Sequence, residues 1–252
     1  MRLHNKSVVV TGASSGMGKA IVETFVREGA YVIAVARRRE KLDELAAGLE
    51  GAAGKVIPFA GDVSKREVNE DMIDLAVKEF GKLDILVNNA GIMDDMGPIG
   101  DVDDEKYEQI MRVNTYGPMC AMRKAVNVFM SQGNGGHIIN IASVGAFRTC
   151  AGVIYMASKA AIVAMTKNTA FMYMPSGIRA NAIAPGAIAT NIGESMGTPN
   201  MFGYGRVKGV ISNAPPPGSA EHIAAAALFL ASDESSYISG DVLFVDGGWT
   251  AG

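Results

Sequence analysis

Tyr155 and Lys159 stand four positions apart in Tyr155-Met156-Ala157-Ser158-Lys159, a spacing that puts both on one face of a helix. A free phenol titrates near pH ~10, too high for efficient proton transfer at neutral pH. An ammonium beside it favours the phenolate and is expected to bring that value down. Such a pair suits protonation of the alkoxide that develops as a carbonyl is reduced, or the reverse. Alone the spacing carries little weight, because tyrosine and lysine meet by chance on many helices. Ser143 follows an apolar run, and its hydroxyl is placed to hydrogen-bond a substrate oxygen. Asn114 falls inside a long helical pattern, where asparagine is unfavourable unless its side chain has a task.

A second cluster is suited to phosphate. The first apolar run ends in Thr11-Gly12-Ala13-Ser14-Ser15-Gly16-Met17-Gly18. Glycines let the chain turn sharply and approach a pyrophosphate, and the helix that follows offers unpaired N–H groups and a positive dipole end. Gly12, Ser14, Ser15, Gly16, Met17 and Gly18 are therefore candidate dinucleotide contacts. The spacing is G-x-x-x-G-x-G rather than the general G-x-G-x-x-G. NAD-preferring sites usually place an acid about 20 residues farther on, for the ribose 2′-hydroxyl. Here that region reads Ala36-Arg37-Arg38-Arg39. A guanidinium pairs with a 2′-phosphate that a carboxylate would repel. NADP(H) is favoured over NAD(H), with Arg37 the first candidate and Arg38 the second.

Helices and strands must hold these residues in place. Strands are expected over 7–10, 31–36, 55–60, 83–87, 136–141, 178–184 and 242–245. Helices are expected over 16–28, 40–49, 65–80, within 104–131, from about 153 to 174, and over 220–231. The runs assigned to strands are apolar nearly throughout, as in a parallel sheet covered on both faces. Strand–helix alternation implies right-handed crossovers. The expectation is an α/β chain: one doubly wound Rossmann-type domain over 1–252, with a central seven-stranded parallel sheet and helices on both faces. The Gly/Pro-rich stretch 185–217 shows weak periodicity, and about 190–217 is expected to form a lid on the substrate side.

Composition narrows the function classes. The chain has 252 residues, 48% hydrophobic and 19% charged, with formal net charge −3. A basic nucleic-acid surface is not expected. No run reaches the roughly 20 apolar residues of a membrane span, and the beginning of the chain shows no signal-like stretch. Cys120 and Cys150 read as free thiols of a reducing cytosol, which points to a cytoplasmic location. His4, His137 and His222 are scattered, so no metal site is expected.

Taken together, Thr11–Gly18, Asn88-Asn89-Ala90-Gly91, Asn114, Ser143, Tyr155 with Lys159, and Pro185-Gly186 occur in the order found in the short-chain dehydrogenase/reductase family. The resemblance runs from Lys6 to Gly248. It implies that Tyr155 is the general acid/base, that Lys159 lowers its pKa and binds the nicotinamide ribose, and that Ser143 orients the substrate oxygen. It implies that Asn114 holds a water in a proton relay through Lys159. Asp62 and Val63 resemble the adenine contact after the third strand. Asn88, Ala90 and Gly91 resemble the turn beside the adenosine ribose, although Asn-Asn-Ala-Gly is also ordinary strand-ending turn chemistry. Asp62 equally suits a helix cap. Pro185, Gly186, Ile188 and Thr190 resemble the segment that holds the nicotinamide, and Val245-Asp246-Gly247-Gly248 resembles the closing strand and turn that support subunit packing. A homotetramer is implied.

The match has departures. Ser143 and Tyr155 are separated by one position fewer than is common in the family, and the glycine turn carries Ser15 where some members place a cation. The NADP(H) expectation thus rests on Arg37 and Arg38. The expected reaction is reduction of a carbonyl or oxidation of a secondary alcohol of a small molecule. Ile192, Met196, Met201, Phe202, Tyr204, Val207 and Val210 would suit a bulky hydrophobic substrate, such as a steroid or bile-acid ketone or a long acyl carbonyl. A 3-oxoacyl thioester, a sugar and a small ketone stay open. A non-catalytic sensor of NADP(H) is the contrasting reading. The intact Asn114, Ser143, Tyr155 and Lys159 set argues against it, and the close Tyr155–Lys159 spacing argues against an enoyl reductase.

Overall fold

The β-branched runs pair into one sheet because each can bury both faces. In the computed structural model, which describes Met1–Gly252, seven parallel strands lie in the order β3-β2-β1-β4-β5-β6-β7. They are β1 (Ser7–Thr11), β2 (Tyr31–Ala36), β3 (Lys55–Ala60), β4 (Ile85–Asn88), β5 (Gly136–Ile141), β6 (Ile178–Pro185) and β7 (Val242–Val245). Every residue of β1 and β4 is buried, whereas the edge strands β3 and β7 are partly open.

Helices cover both faces, as the long apolar strands require. One face carries α1 (Gly16–Arg27), α2 (Arg39–Ala47) and α8 (Ala220–Ala231), which pack Phe25, Leu42 and Leu228 against Val8, Val10 and Ile139. The other carries α3 (Arg66–Phe80), α5 (Gly117–Gln132) and α6 (Val153–Tyr173), with Met72, Phe129 and Ala170 against Val9, Ile33 and Ile138. No helix is long and apolar enough to cross a membrane. The strand order reverses between β1 and β4, the switch point where open α/β sheets form a crevice beyond the carboxyl ends of their strands.

Two stretches differ from expectation. The helix expected within 104–131 is interrupted: α4 (Asp104–Met111) passes through a π turn, Arg112–Tyr116, before α5 begins. Asn114 lies in that turn, which is wider than an α-helix and of a kind frequent at functional sites. The stretch expected to be irregular contains a helix, α7 (Met201–Ser212). Gly203, Gly205 and Gly209 lower its helix propensity and break its apolar period, which is why the pattern is weak. Its start is capped by the Asn200 side chain, which accepts from the Gly203 N–H at 2.9 Å.

Candidate active site

Beyond β1 and β4 lies a cleft of about 540 Å³. Its floor is the glycine turn. Gly12 adopts φ +69°, and a Cβ there would stand 2.6 Å from Asn89 Nδ2; a Cβ on Gly18 would run into the Gly12 carbonyl. The turn is pinned from β4. Asn89 Nδ2 donates to the Thr11 carbonyl at 2.8 Å, and Thr11 Oγ1 accepts from the N–H groups of Asn89 and Ala90. Asn89 Oδ1 is buried and has no hydrogen-bond partner. Helix α1 starts at this floor with neither a side-chain cap nor an acid in its first turn, so its leading N–H groups face the cleft unpaired.

The expected dinucleotide contacts divide into two groups. Gly12, Ser14, Ser15, Gly16, Met17, Arg37, Arg38, Asp62, Val63, Ala90, Gly91 and Thr190 line the cleft. Gly18 lies beneath it as packing for the turn. Asn88 points away: its Nδ2 donates to Asn140 Oδ1 at 2.9 Å inside the sheet, because the last residue of β4 faces the α5–α6 layer. Pro185, Gly186 and Ile188 also stand back from the cleft. The Gly186 N–H donates to the Val245 carbonyl, and Ile188 bridges to Gly218. They carry the chain to Thr190, whose side chain lies 3.2 Å from where a Gly16 Cβ would be. Asp62 caps the turn at Ser64, whose N–H it accepts at 3.0 Å, rather than α3.

Three guanidinium groups line the cleft: Arg37, Arg38 and Arg112. Arg39 is paired with Asp43, whereas Arg38 reaches over the turn to the hydroxyls of Ser14 and Ser15 at 3.2 and 3.5 Å. The sequence alone does not single out Asn89 or Arg112. Asn89 sits in the quoted Asn-Asn-Ala-Gly turn, and strand alternation is the signal that would have chosen it over Asn88. Arg112 is brought round by the π turn, which no sequence pattern announces.

The four expected catalytic side chains gather beside Gly91, which lines the cleft, and Gly145. Lys159, 3% exposed, donates from Nζ to the Ile141 carbonyl at 2.8 Å. Lys159 Nζ and Asn114 Oδ1 each lie 3.4 Å from where a Cβ on Gly91 would be. Asn114 exchanges hydrogen bonds with the main chain of Ile92, accepting at 2.9 Å and donating at 2.8 Å, and also donates to Ser158 Oγ. Ser143 Oγ accepts from the Gly145 N–H at 3.0 Å, on the side of that glycine where the Tyr155 ring also lies. The position a Cβ would take on Gly145 is 3.3 Å from Ser143 Oγ and 3.6 Å from the Tyr155 ring. The shortened Ser143–Tyr155 interval thus still brings the two side chains together beside Gly145.

The electrostatics correct one expectation. Lys159 does not bring Tyr155 below its ordinary value in the free protein. Burial pushes the Tyr155 phenol up to about 12, against the downward pull of the Ser143 hydrogen bond. Burial also draws Lys159 down to about 8. The ammonium sits over the ring, 5.7 Å from its centroid, and burial is the dominant influence on the phenol.

A second, largely apolar cavity of about 520 Å³ lies between α7 and the start of α6. Its α6 wall is Val153, Met156, Ala157 and Ala160, the side of the helix turned away from Tyr155. Of the apolar residues expected to cover the substrate, Phe202 and Val207 line this cavity and Ile192 lines the cleft.

Residues 12–250 match a protein-family model described as enoyl-(acyl carrier protein) reductase. The chain is a member of the short-chain dehydrogenase/reductase family. It is 45% identical to a 3beta-hydroxysteroid dehydrogenase 2 of Eggerthella lenta, over 99% of this chain and 96% of that protein. It is 38% identical to a 3-oxoacyl-acyl-carrier-protein reductase of Thermotoga maritima, over 98% of this chain and 99% of that protein. A solved short-chain dehydrogenase/reductase from Mycobacterium marinum superposes with a TM-score of 0.88 at 32% identity, over 99% of this chain and 97% of that one. Members of the family use NAD(P), and this chain is an oxidoreductase of CH–OH groups.

Proposed function

We propose that this short-chain dehydrogenase/reductase interconverts a hydrophobic secondary alcohol and its ketone with NADP(H), and that 3-hydroxysteroids are its substrate class. The observation that carries the reading is the meeting of Ser143, Tyr155, Lys159 and Asn114 where Gly91 ends the cleft. A dinucleotide held in the cleft would supply or accept the hydride. The cleft fits it: α1 turns uncapped N–H groups toward a pyrophosphate, Asn89 Oδ1 is an unpartnered buried acceptor, and Arg37 and Arg38 stand where a 2′-phosphate would need cations. Asp62 and Val63 form the adenine wall, and Ala90, Gly91 and Thr190 close the ribose side.

Tyr155 holds a proton at its phenol oxygen at every physiological pH, given a value of about 12. In reduction it gives that proton to the developing alkoxide while Ser143 holds the same oxygen. In oxidation it must first lose the proton, and that direction improves as pH rises. Lys159, mostly protonated at neutral pH, stands beside Gly91, where the nicotinamide ribose would lie. Asn114 ties the segment after Gly91 to α6 and so keeps Lys159 in place. The segment 190–217 is the lid, with Thr190, Ile192 and Ser195 over the cleft and α7 beyond them. The assembly proposed is a homotetramer, with Phe171 and Met172 of α6, 76% and 61% exposed, in an interface.

The steroid assignment is supported by the 45% identity to a hydroxysteroid dehydrogenase. The likeness to a 3-oxoacyl reductase supports acyl thioesters as the second reading. The test is NADPH and NADH oxidation with 3-oxosteroids and 3-oxoacyl thioesters, for wild type and Tyr155→Phe. Turnover of steroids, reduced about 100-fold or more in the variant with dinucleotide binding retained, is expected. Equal turnover by Tyr155→Phe would sink the mechanism, and turnover of thioesters alone would replace the substrate class.

A further inference from the structure

The chemistry above makes no use of Asp94, yet its carboxylate is 1% exposed. Its partners are main-chain N–H groups: Oδ1 accepts from Met96 at 3.1 Å and Gly152 at 3.0 Å, and Oδ2 accepts from Tyr155 at 2.9 Å. Gly152 is the N-cap of α6 and Tyr155 its third residue. The first turn of a helix leaves N–H groups that a Ser, Thr, Asp or Asn at the N-cap normally accepts. Gly152 has no side chain to do so, and α6 has no acid in its first turn. Asp94 supplies the missing acceptor from 58 residues upstream. The exchange explains the glycine: a Cβ on Gly152 would stand 2.5 Å from Asp94 Oδ1 and 2.6 Å from Cγ. The carboxylate also faces the positive end of the α6 dipole.

We propose that Asp94 is the positioning residue for Tyr155: by capping α6 from outside it fixes the first helical turn, and with it the direction in which the phenol leaves the helix toward Ser143. The inference rests on the reading of Tyr155 as proton carrier. Tyr155 is faced by Asp94, Cys150 and Lys159, and the Asp94 charge acts on the phenol in the same direction as burial does.

The test compares wild type with Asp94→Ala, Asp94→Asn and Gly152→Ala in the intact enzyme, with Tyr155→Phe in parallel. Melting temperature, NADPH Kd, kcat, KM and the pH profile of alcohol oxidation are measured. Asp94→Ala is expected to lower kcat about tenfold to a hundredfold, because small misplacements of a proton donor are costly, with NADPH Kd within about twofold of wild type. Its oxidation profile moves to lower pH, since a negative charge beside the phenol is gone. Asp94→Asn keeps the shape and one acceptor oxygen, so it shows a smaller loss of kcat and the same direction of pH shift. Gly152→Ala displaces the carboxylate without removing it and lowers kcat with no loss of NADPH binding. If Asp94→Ala does not fold, the other two variants decide. Folded Asp94→Asn and Gly152→Ala proteins with wild-type kcat and pH profile overturn the inference while Tyr155→Phe is inactive. An active Tyr155→Phe instead overturns the reading beneath it.

Discussion

Lys159 should make the stability of this protein rise with pH over a window where most proteins lose it. The ammonium is buried, its partner is one carbonyl, and its pKa falls from 10.5 to about 8. In the unfolded chain a lysine titrates near 10.4. Between the two values the unfolded state binds the extra proton, so raising the pH favours the fold. The penalty is full below about pH 8 and fades toward pH 10.5. At about 1.4 kcal/mol per pKa unit it amounts to roughly 3 kcal/mol, of which about 2 kcal/mol is recovered between pH 8 and pH 10. Tyr155 acts with the opposite sign only above about pH 10, where an unfolded phenol begins to ionise and the buried one does not. Lys159→Met keeps the stem and removes the charge. It also loses the bond to Ile141, at a cost that does not vary with pH. The measurement is urea unfolding of both proteins at pH 7, 8, 9 and 10 and one protein concentration. The stability of wild type relative to the variant should climb by about 2 kcal/mol from pH 8 to pH 10. A difference that is flat, or that falls as pH rises, refutes the assignment of a depressed lysine.

Removing Arg37 and Arg38 together as alanines should lower kcat/KM for NADPH by about tenfold to a hundredfold, the worth of one to two charge-assisted hydrogen bonds, and leave NADH little changed; equal losses with both cofactors would deny the 2′-phosphate role. Asn140→Ala should destabilise the protein by about 2–3 kcal/mol in urea unfolding, because it strands the Asn88 amide and removes the bond to Thr166 at 2.8 Å. A loss below about 0.5 kcal/mol would mean that the buried network is dispensable.

The sheet and its helices are legible in the sequence because hydrophobic period and turn residues decide them locally. Strands such as Tyr31–Ala36 and Gly136–Ile141 are bounded by glycine and polar turns, and their apolar runs leave little choice of partner. The glycine turn and the Tyr155–Lys159 pair are legible for the same reason: their spacing is itself the geometry. What stays hidden is decided at long range. Asn88 and Asn89 have the same side chain, and only the end of β4 decides which one faces the cleft. The π turn at Arg112–Tyr116 carries no residue signature, yet it swings Arg112 to the cleft and Asn114 onto Ile92. Asp94 serves a helix whose start is 58 positions away. Burial of Tyr155 and Lys159 reverses the simple charge argument, and burial is a property of the packed chain alone.

The segment from Ile92 to Pro98 holds several parts of the molecule at once. Ile92 meets Asn114, the Met93 N–H donates to Ser195 Oγ, and Asp94 caps α6. The Asp95 carbonyl accepts from the Asn200 N–H, its carboxylate pairs with Lys106, and the Gly97 carbonyl accepts from Val153. Surface connections usually tolerate insertion at little thermodynamic cost. This one cannot, since adding or deleting a residue would shift every tie after it by one place. A single inserted or deleted residue there would therefore disturb Asn114, the start of α6 and the residues around Ser195 and Asn200 all at once.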